Sequence, residues 1–369
     1  MSLFQIDAGR DWRGGQRQAF LLTRELAGRG YPVLLVAQPE SPLEKKAAEA
    51  GLRVLPVEIK NDAHIQAGWK IGRAMRRESC LLAHFHDGHA AGVGGRAARL
   101  ARVPVRIVTR RVEYPLKANR FSRNKYAEAD AVIAISQRVR DVLLEGGVPD
   151  DRIEVIPSGI DLEPFAGSLD RDYLRREFGF PPDSFLVGIV AQLVDGKGHG
   201  TLIEAAKLLK TFLPKIKIII IGSGALELRL AEQARGLGVG DLVFFLGFRE
   251  DVPRLLASLD AFVLTSDAEG LGSSIMDAMA ARLPVVATRV GGIPEVVEDG
   301  ETGILIPPRD PETLARTILR LANDRELAGR LGAQGFESVQ RKFSAEAMVS
   351  RIVDLYEKIA APKKINLRA

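Results

Sequence analysis

The stretch that decides the fold is "AFVLTSDAEGLGSSIMDAMAARLPVVA", residues 261–287. A short apolar run at Ala261–Thr265 predicts a buried strand, and a second run at Pro284–Ala287 predicts another. Between them a glycine-containing loop, Ser266–Gly272, leads into a segment with helical spacing that begins near Ser273. A strand, a helix and a second strand in this order are typical of a parallel βαβ unit.

The same alternation runs through most of the chain and is interrupted once, at the Pro- and Gly-containing stretch 155–170. Amphipathic helices are predicted between the strands, for example at Gly15–Arg29 and His89–Arg102. Continuous Val, Ile and Leu runs indicate strands that are buried on both faces, as in parallel sheets. The other predicted strands are Ser2–Asp7, Pro32–Ala37, Arg53–Glu58, Cys80–His86, Val105–Thr109, Ala131–Ser136, Ile153–Pro157, Phe185–Ala191, Lys217–Ile221, Leu242–Leu246 and Gly303–Ile306.

This alternation predicts an α/β fold with two Rossmann-like, doubly wound parallel-sheet domains that face a central cleft. We expect the first domain to span residues 1–163 and the second to span 164–344. The tail is predicted to be helical, with runs at 324–342 and 344–360. The segment 345–369 is expected to pack back onto the first domain.

Composition narrows the class of protein. The 369 residues are 46% hydrophobic and 27% charged, as in a water-soluble globular protein, and the single Cys80 fits a reducing compartment. No apolar run approaches the length that spans a bilayer, and the N-terminus lacks a signal pattern. We therefore expect a cytoplasmic protein, a monomer or a weak dimer, with a possible peripheral position at the inner face of the plasma membrane.

Positive charge is concentrated in one segment. Residues 96–125 contain ten basic residues and a single acid, Glu113. Such a segment indicates an anionic partner, either a phosphorylated glycolipid at a membrane surface or RNA. A solvated basic face without a partner is the plain structural alternative.

Glycine turns after predicted strands are the candidate ligand sites. In the opening stretch Gly270 and Gly272 allow close backbone approach, and the following helix N-terminus favours a phosphate. Ser273 and Asp277 are four residues apart and share one helix face, which suits a ribose diol, while Glu269 can hold sugar hydroxyls. The null alternative is an ordinary capped helix after a glycine turn.

Two further turns resemble this arrangement. "VAQLVDGKGHGTLIEA", residues 190–205, places Lys197 near a helix N-terminus as a counter-charge for phosphate, although it is not a Walker motif. "DAGRDWRGGQRQAF", residues 7–20, opens a helix with Gly14 and Gly15 but lacks the dinucleotide fingerprint. "IGSGALE", residues 221–227, is interpreted as a turn before a helix.

Three histidines lie close together in "HFHDGHAAG". His84, His86 and His89 could form a metal cluster, but no suitable Cys or acidic set accompanies them. A histidine that contacts substrate is the preferred interpretation, and no metal is expected. The pair Asp170 and Asp172 is interpreted as solvated.

Taken together, these motifs resemble the retaining glycosyltransferases of family four, which have the GT-B fold of two Rossmann domains. "EGLGSSIMDAMA" is similar to the Glu-x7-Glu signature of that family, and "GGIPEVVEDGETGILIPPRD" follows with the family's spacing. "VAQLVDGKGHGTLIEA" is similar to its donor-phosphate turn and "VIPSGID" to its hinge. The first half, with "RGGQRQ" and "HFHDGHAAG", matches more loosely.

The resemblance implies the roles of individual residues. Glu269 would hold the donor sugar with help from backbone at Gly270, Leu271 and Gly272, and Asp277 would take the ribose. Lys197 would neutralise the leaving diphosphate. The remaining donor-binding residues implied by the family are Gly14, Gly15, Gln192, Ser273, Ser274, Phe248 and Arg249. No cofactor is implied, and a UDP-sugar is the expected co-substrate.

Three positions depart from the family. Asp277 stands where the second signature Glu is usual, and its carboxylate reaches about one methylene less. Gln192 stands where an Arg is frequent. After the fifth strand "TRRVEY" replaces a frequent histidine, so His86 is our candidate for that catalytic role. Arg110, Arg111 and Lys117 are the candidates for acceptor binding.

The expected reaction is metal-independent transfer of a sugar, with retention, to lipopolysaccharide or another lipid-linked or cell-surface glycan. No covalent carboxylate nucleophile is evident, so front-face attack is the expected course. Three alternatives stay open: a nucleotide-sugar-binding protein without activity, an RNA-binding protein that uses residues 96–125, and an epimerase or phosphorylase on the same fold. The intact donor motifs argue against the first two, and nucleic acid is not the expected partner.

Overall fold

A computed structural model describes residues 1–116, 125–167 and 170–368. The chain divides into two compact units. Unit 1 combines Met1–Ile160 with Ala345–Ala369, and unit 2 is Asp161–Ser344. The chain therefore leaves unit 1, forms all of unit 2, and returns to unit 1 for its last helix.

Unit 1 contains a seven-stranded parallel sheet with the strand order β3-β2-β1-β4-β5-β6-β7. Its strands are β1 (Ser2–Ile6), β2 (Val33–Ala37), β3 (Val54–Pro56), β4 (Cys80–Phe85), β5 (Val105–Arg110), β6 (Ala131–Ala134) and β7 (Ile153–Val155). The helices described in this unit are α1 (Gly14–Gly28), α2 (Pro42–Glu49), α3 (Ile65–Arg77), α4 (Gly88–Leu100), α5 (Gln137–Glu145) and, after unit 2, α14 (Ala345–Ala360).

The C-terminal helix α14 is part of the core of unit 1. Its apolar face, which includes Val349, Ile352 and Tyr356, joins one buried cluster with Leu3 of β1 and Ile107 of β5. Tyr356 is the largest fully buried side chain in the described chain. The hydrophobic surface of the sheet would otherwise face water at this point, so α14 completes the layer that covers it.

Unit 2 contains a six-stranded parallel sheet with the strand order β10-β9-β8-β11-β12-β13. Its strands are β8 (Phe185–Val190), β9 (Ile216–Ile221), β10 (Val243–Phe245), β11 (Ala261–Leu264), β12 (Val285–Thr288) and β13 (Ile304–Ile306). Its described helices are α6 (Tyr173–Phe178), α7 (His199–Leu209), α8 (Glu227–Gly236), α9 (Val252–Ala257), α10 (Ser273–Ala280), α11 (Ile293–Val296), α12 (Pro311–Asn323) and α13 (Arg325–Lys342).

Both sheets have one point at which the strand order reverses. It lies between β1 and β4 in unit 1 and between β8 and β11 in unit 2. The loops that leave the carboxyl ends of these strands diverge to opposite faces, and the crevice between them is where open α/β sheets bind ligands. The fold therefore directs attention to the residues after β1, β4, β8 and β11.

The prediction of two Rossmann-like parallel-sheet domains is confirmed, and every predicted strand has a counterpart in the structure. Several observed strands end earlier than predicted. Asp7, His86, Ala191 and Thr265 lie just beyond their strands, because the backbone there turns out of the sheet. No helix in the described part of the chain is both long and apolar enough to cross a membrane.

The packing of α13 depends on a glycine, and this can be tested. A Cβ on Gly332 would lie 2.2 Å from the backbone carbonyl oxygen of Arg282, whereas a Cβ on Gly329 in the same helix would meet nothing within 4 Å. We expect Gly332→Ala to destabilise unit 2 by about 1–3 kcal/mol through overpacking. Gly329→Ala should instead stabilise it by up to about 1 kcal/mol, because alanine is the better helix former.

Thermal unfolding of the full chain, followed by circular dichroism, compares the two variants. Equal melting temperatures for Gly329→Ala and Gly332→Ala would contradict the close approach of α13 to residue 282.

Candidate functional site

The strongest candidate site of unit 2 lies at the reversal point of its sheet. The loop after β8 and the loop after β11 are joined by backbone and side-chain hydrogen bonds. Asp267 donates its backbone N–H to the carbonyl of Gly196 over 2.8 Å, and the hydroxyl of Thr265 donates to the carbonyl of Gly198 over 2.9 Å. The two glycine turns that the sequence analysis described separately therefore form one surface.

Glycine is required at the centre of this surface. Gly198 has a φ of 69°, and a Cβ there would lie 1.8 Å from the carbonyl oxygen of Thr265. Gly272 also adopts a left-handed conformation, with a φ of 84°. Both conformations disfavour any residue with a side chain, and at Gly198 the neighbouring backbone leaves no room for one.

These two glycines are also the N-caps of α7 and α10. Neither helix has a side-chain hydrogen bond at its N-cap. Elsewhere the chain does provide such caps, for example Asp87 for α4 and Ser136 for α5. An N-terminus without a side-chain acceptor keeps its first-turn N–H groups available, and such groups together with the helix dipole favour an anion such as phosphate.

Lys197 and Glu269, which the sequence placed in separate motifs, meet at this surface. The Lys197 Nζ atom lies 2.6 Å from Glu269 Oε2, and the hydroxyl of Ser266 donates to the same oxygen over 3.2 Å. The side chains retain 27% and 17% of their exposure, so a ligand can still reach them. An ammonium group for phosphate and a carboxylate for hydroxyls therefore stand side by side.

The rest of the Glu269–Asp277 segment is arranged around the start of α10. Ser273 and Ser274 are half-buried in its first turn, while Leu271 and Asp277 are almost fully buried. The backbone carbonyl of Glu269 accepts from the N–H of Gly292 over 2.9 Å, which fixes the loop to the segment after β12. The predicted sharing of one helix face by Ser273 and Asp277 is consistent with this helix.

His199 is a residue of this site that the sequence analysis did not single out. It follows Gly198, is 2% exposed, and neither ring nitrogen has a hydrogen-bond partner among the described residues. Burial, together with the positive charge of Lys197, lowers the pKa of His199 to about 4. A neutral imidazole next to the lysine keeps the local positive charge on Lys197 alone.

The segment "IGSGALE", interpreted from the sequence as a turn before a helix, also packs closely against the loop after β8. A Cβ on Gly222 would lie 2.1 Å from the carbonyl oxygen of Ala191, and one on Gly224 would lie 2.3 Å from that of Leu193. Leu193 and Ser223 are also joined by a backbone hydrogen bond of 3.0 Å. The absence of side chains at these glycines lets the segment lie against the backbone of the loop after β8. A sequence pattern of two glycines cannot distinguish this packing from a simple turn.

The other predicted donor-binding residues of unit 2 differ in their availability. Gln192 is exposed in the loop after β8, and Phe248 is 58% exposed. Arg249 is held in a network with Asp251 at 2.7 Å and Glu177 at 2.6 Å. These two carboxylates raise the pKa of Arg249 above its usual range. Arg249 therefore serves first as a bridge between α6 and α9, and Phe248 is the more accessible of the pair.

In unit 1 the reversal point carries a pair of carboxylates. Asp7 follows β1 and accepts from the N–H of Gly9 at 2.7 Å and from Gln16 at 2.9 Å. Asp87 follows β4, caps α4, and accepts from the N–H of Ala8 at 2.6 Å. Burial, then the charge of Asp87, raises the pKa of Asp7 to about 6. These contacts tie the loop that leads to Gly14 and Gly15, the first residues of α1, to both strands.

His86 lies at the end of a buried polar chain that starts in the C-terminal helix. The hydroxyl of Tyr356 contacts His84 Nδ1 at 2.6 Å and accepts from Gln5 Nε2 at 3.3 Å. Gln5 Oε1 in turn contacts His86 Nε2 at 2.9 Å. Thr109 contacts the other nitrogen of His84 at 2.6 Å. All five side chains are buried.

The orientation of the Gln5 amide decides the tautomer of His86. The amide nitrogen donates to Tyr356, so the amide oxygen faces His86. Because an amide oxygen can only accept, the proton of the imidazole is then on Nε2. Burial lowers the pKa of His86 well below its usual value, so the ring is neutral. Nδ1 is consequently a hydrogen-bond acceptor, and it has no partner among the described residues. The predicted role of His86 thus becomes a more specific one, that of an acceptor of a proton or a hydrogen bond.

Two of the predicted acceptor-binding residues, Arg110 and Arg111, are held by hydrogen bonds within unit 1. Arg110 is 7% exposed, and its guanidinium donates to Tyr126 over 3.0 Å and to the carbonyl of Tyr114. Arg111 donates to Ser158 over 3.1 Å, and burial lowers its pKa to about 10. Lys117 lies outside the described residues. Across the described residues no cluster of His, Cys, Asp and Glu could hold a metal ion.

Two family models match the chain, one in each half. Residues 170–338 match the model of glycosyl transferases group 1, and residues 12–164 match that of Glycosyltransferase Family 4. Both halves of the chain are therefore similar to glycosyltransferases. The Lys197–Glu269 pair and both glycine turns of unit 2 lie within the first of these matches.

Among the relatives of the chain is a lipopolysaccharide core biosynthesis glycosyltransferase of Rhizobium meliloti. It is 35% identical over 189 residues, which cover 51% of this chain and 53% of the relative. The N-acetyl-alpha-D-glucosaminyl L-malate synthase of Bacillus anthracis is 29% identical over 238 residues, covering 64% and 62% respectively. The chain thus spans about half to three fifths of the length of these curated relatives.

Solved structures share the fold of the whole chain. The Anabaena HepE protein in complex with UDP-glucose has a TM-score of 0.86, with 23% identity, and the match covers 97% of this chain and 100% of HepE. The sucrose-phosphate synthase of Thermosynechococcus elongatus has a TM-score of 0.79 at 22% identity, covering 98% and 100%.

The requirement for glycine at position 198 generates the first prediction for the site. Gly196 also has a positive φ of 83°, but a Cβ there would meet nothing within 4 Å. We expect Gly198→Ala to displace the loop after β11 and to lower the melting temperature clearly. Gly196→Ala should carry only the cost of its backbone conformation, about 1 kcal/mol. Differential scanning fluorimetry measures both effects, and equal melting temperatures in the two variants would contradict the close approach of Gly198 to Thr265.

The second prediction concerns the polar chain to His86. Tyr356→Phe removes the group that orients Gln5, so the amide can turn and the proton of His86 can move to Nδ1. Nitrogen-15 NMR of the histidine rings should show the Nε2–H tautomer in the unchanged protein and a mixture or the opposite tautomer in the variant. Tyr31→Phe is the matched control, because its buried hydroxyl contacts Glu357 instead of a histidine. An unchanged His86 spectrum in Tyr356→Phe would refute this coupling.

Proposed function

We propose that the chain transfers a sugar from a nucleoside-diphosphate sugar, most simply a UDP-sugar, to a lipid-linked or cell-surface glycan. The observation that carries this proposal is the Lys197–Glu269 pair, 2.6 Å apart at the reversal point of the second sheet and next to two helix N-termini without side-chain caps. The HepE protein has been solved in complex with UDP and with UDP-glucose, which supports the choice of donor.

In this proposal unit 2 binds the donor. The diphosphate lies against the first turns of α7 and α10, and Lys197 supplies the counter-charge. Glu269 accepts hydrogen bonds from the sugar hydroxyls, and Asp277 takes the ribose. Since Asp277 is almost fully buried and carries the shorter carboxylate arm, the ribose must come close to α10.

The proposed reaction depends on charge that develops on the leaving group. As the bond between the anomeric carbon and the phosphate oxygen breaks, negative charge grows on the diphosphate and positive charge on the sugar. Lys197 and the helix N-termini stabilise the first, and the Glu269 carboxylate stabilises the second. We propose that the transfer needs no metal and retains the anomeric configuration through front-face attack, with the leaving phosphate oxygen taking the proton of the acceptor hydroxyl.

The acceptor is proposed from chemistry and from relatives. The likeness to a lipopolysaccharide core glycosyltransferase supports a lipid-linked glycan as the acceptor. We propose that His86, through its unprotonated Nδ1, and Arg111 contribute to acceptor binding in unit 1, and that Gly14 and Gly15 bring backbone N–H groups to the ligand. Lys117 remains a proposal from the sequence.

The role of Lys197 is tested by Lys197→Ala. Removal of the counter-charge from a developing anion should lower kcat about 10²–10³-fold, with a smaller effect on donor binding. Lys207→Ala is the matched control, since Lys207 is exposed on α7, the helix that follows Lys197. Release of UDP is measured with a panel of UDP-sugars, with and without lipid-linked glycan. Near-normal turnover in Lys197→Ala would refute the proposed mechanism, and donor binding without any UDP release would favour a binding protein.

A further inference from the structure

The structure alters where an anionic partner can bind. Within the basic segment 96–125, the described cations are largely engaged with other groups. Arg99 pairs with Glu128 at 3.1 Å, Lys125 with Asp62, and Arg106 lies 3.9 Å from Asp130. Arg110 is buried. These described cations are therefore less available to an anionic partner than the composition of the segment indicates.

A different surface of unit 1 combines exposed apolar side chains with exposed cations. The outer face of α3 exposes Ile65, which is 84% accessible, and Trp69, which is 66% accessible. These residues are four apart and so lie next to each other on the helix. The opposite face, with Ala67, Ile71 and Met75, is buried. The exposed apolar pair is therefore not part of the core, and one of only two tryptophans in the chain points to solvent.

The second half of the same face is basic. Helix α3 contains Lys70, Arg73, Arg76 and Arg77 and no acidic residue. All four are exposed. The exposed face of α3 is therefore amphipathic along its length. Isoleucine and tryptophan lie at its N-terminal end, and four cations follow them.

Neighbouring groups leave most of this charge uncompensated. Lys70 donates to the carbonyl of Pro56 over 2.8 Å, and Arg76 to that of Leu100 over 3.1 Å. Arg73 lies over the ring of Trp69, 5.4 Å from its centroid. Within the described chain these three cations form no salt bridge. The nearby carboxylates face other partners: Glu78 contacts Arg53 and Arg77, and Asp62 contacts His89 and Lys125.

A third apolar side chain is connected to this surface. Leu100 ends α4 and is 70% exposed, and its carbonyl is the group that Arg76 binds. Helices α3 and α4 are in close contact, since a Cβ on Gly72 would lie 3.6 Å from the carbonyl oxygen of Ala97. Ile65, Trp69 and Leu100 are thus carried by a rigid pair of helices, together with the cations of α3.

We propose that this surface, formed by Ile65, Trp69, Leu100 and the four cations of α3, docks unit 1 onto an anionic lipid membrane. Tryptophan and aliphatic side chains enter the boundary between head groups and acyl chains, while lysine and arginine contact lipid phosphates. The assignment to lipid rests on this combination, because a nucleic acid requires cations but gains nothing from exposed isoleucine and leucine. This inference rests on the proposed function, because a lipid-linked acceptor would lie in the membrane to which unit 1 docks.

Trp69 supplies a direct probe. In the full chain carrying Trp12→Phe, Trp69 is the only tryptophan. Its emission should shift to the blue with vesicles of phosphatidylcholine containing 30% phosphatidylglycerol, and lipids brominated in the acyl chain should quench it. Vesicles of phosphatidylcholine alone should produce little change.

The charge requirement is tested by co-sedimentation with the same vesicles. Arg73→Glu combined with Arg76→Glu should lower the partition coefficient roughly tenfold or more, and added salt should weaken binding of the unchanged protein. Arg229→Glu with Arg235→Glu, two exposed positions on α8 of unit 2, is the matched control. Trp69→Ser is compared with Phe212→Ser, which removes an aromatic side chain of similar exposure.

Equal binding to neutral and anionic vesicles, an unshifted Trp69 emission, or equal loss in the α8 control would overturn the proposal. Binding of an RNA oligonucleotide that depends on Arg73 and Arg76, without vesicle binding, would also overturn it. These measurements need neither donor nor acceptor. Vesicle binding can therefore fail while UDP-sugar turnover persists, and the reverse result is equally distinguishable.

Discussion

The close approach of Gly198 to the backbone of Thr265 is the constraint on which the surface with Lys197 and Glu269 depends. Parallel pairing places β8 and β11 side by side, and the absence of a side chain at Gly198 lets the two following loops meet. Only then do Lys197 and Glu269, 72 residues apart in sequence, come within hydrogen-bond distance. The ion pair thus depends on the close approach at Gly198, and that approach depends on the pairing of β8 with β11.

The two units use the same position in their sheets for different purposes. In unit 2 the helices after the reversal point begin at glycines, so their N-termini stay open to an anion. In unit 1 helix α1 also lacks a side-chain cap, but α4 is capped by Asp87, and a second carboxylate, Asp7, lies close by. A site with open N–H groups favours phosphate, whereas one with carboxylates and a neutral histidine favours hydroxyl groups. This difference agrees with the proposal that unit 2 binds the donor and unit 1 binds the acceptor.

The sequence was a good guide to everything that depends on local pattern. Strand positions, the two parallel sheets and the glycine turns followed from apolar runs and turn residues, because burial on both faces leaves a strong signal. Contacts between distant segments left none. Nothing in "KGHG" indicates that His199 lies buried with no hydrogen-bond partner among the described residues, and nothing near Gln5 indicates its contact with Tyr356, which is 351 residues away. The composition of residues 96–125 likewise does not indicate the ion pairs of Arg99 and Lys125, since such pairs form only after folding.

The position of Tyr356 has a consequence for the biosynthesis of the protein. The strands of unit 1 are made first, but α14, which completes their core and orients Gln5, is made after the whole of unit 2. Since domains generally fold as units during synthesis, unit 2 can fold while unit 1 still exposes part of its sheet. Unit 1, although its synthesis begins first, can therefore complete its core only after unit 2 has been made. The contacts of Tyr356 with His84 and Gln5 form only then.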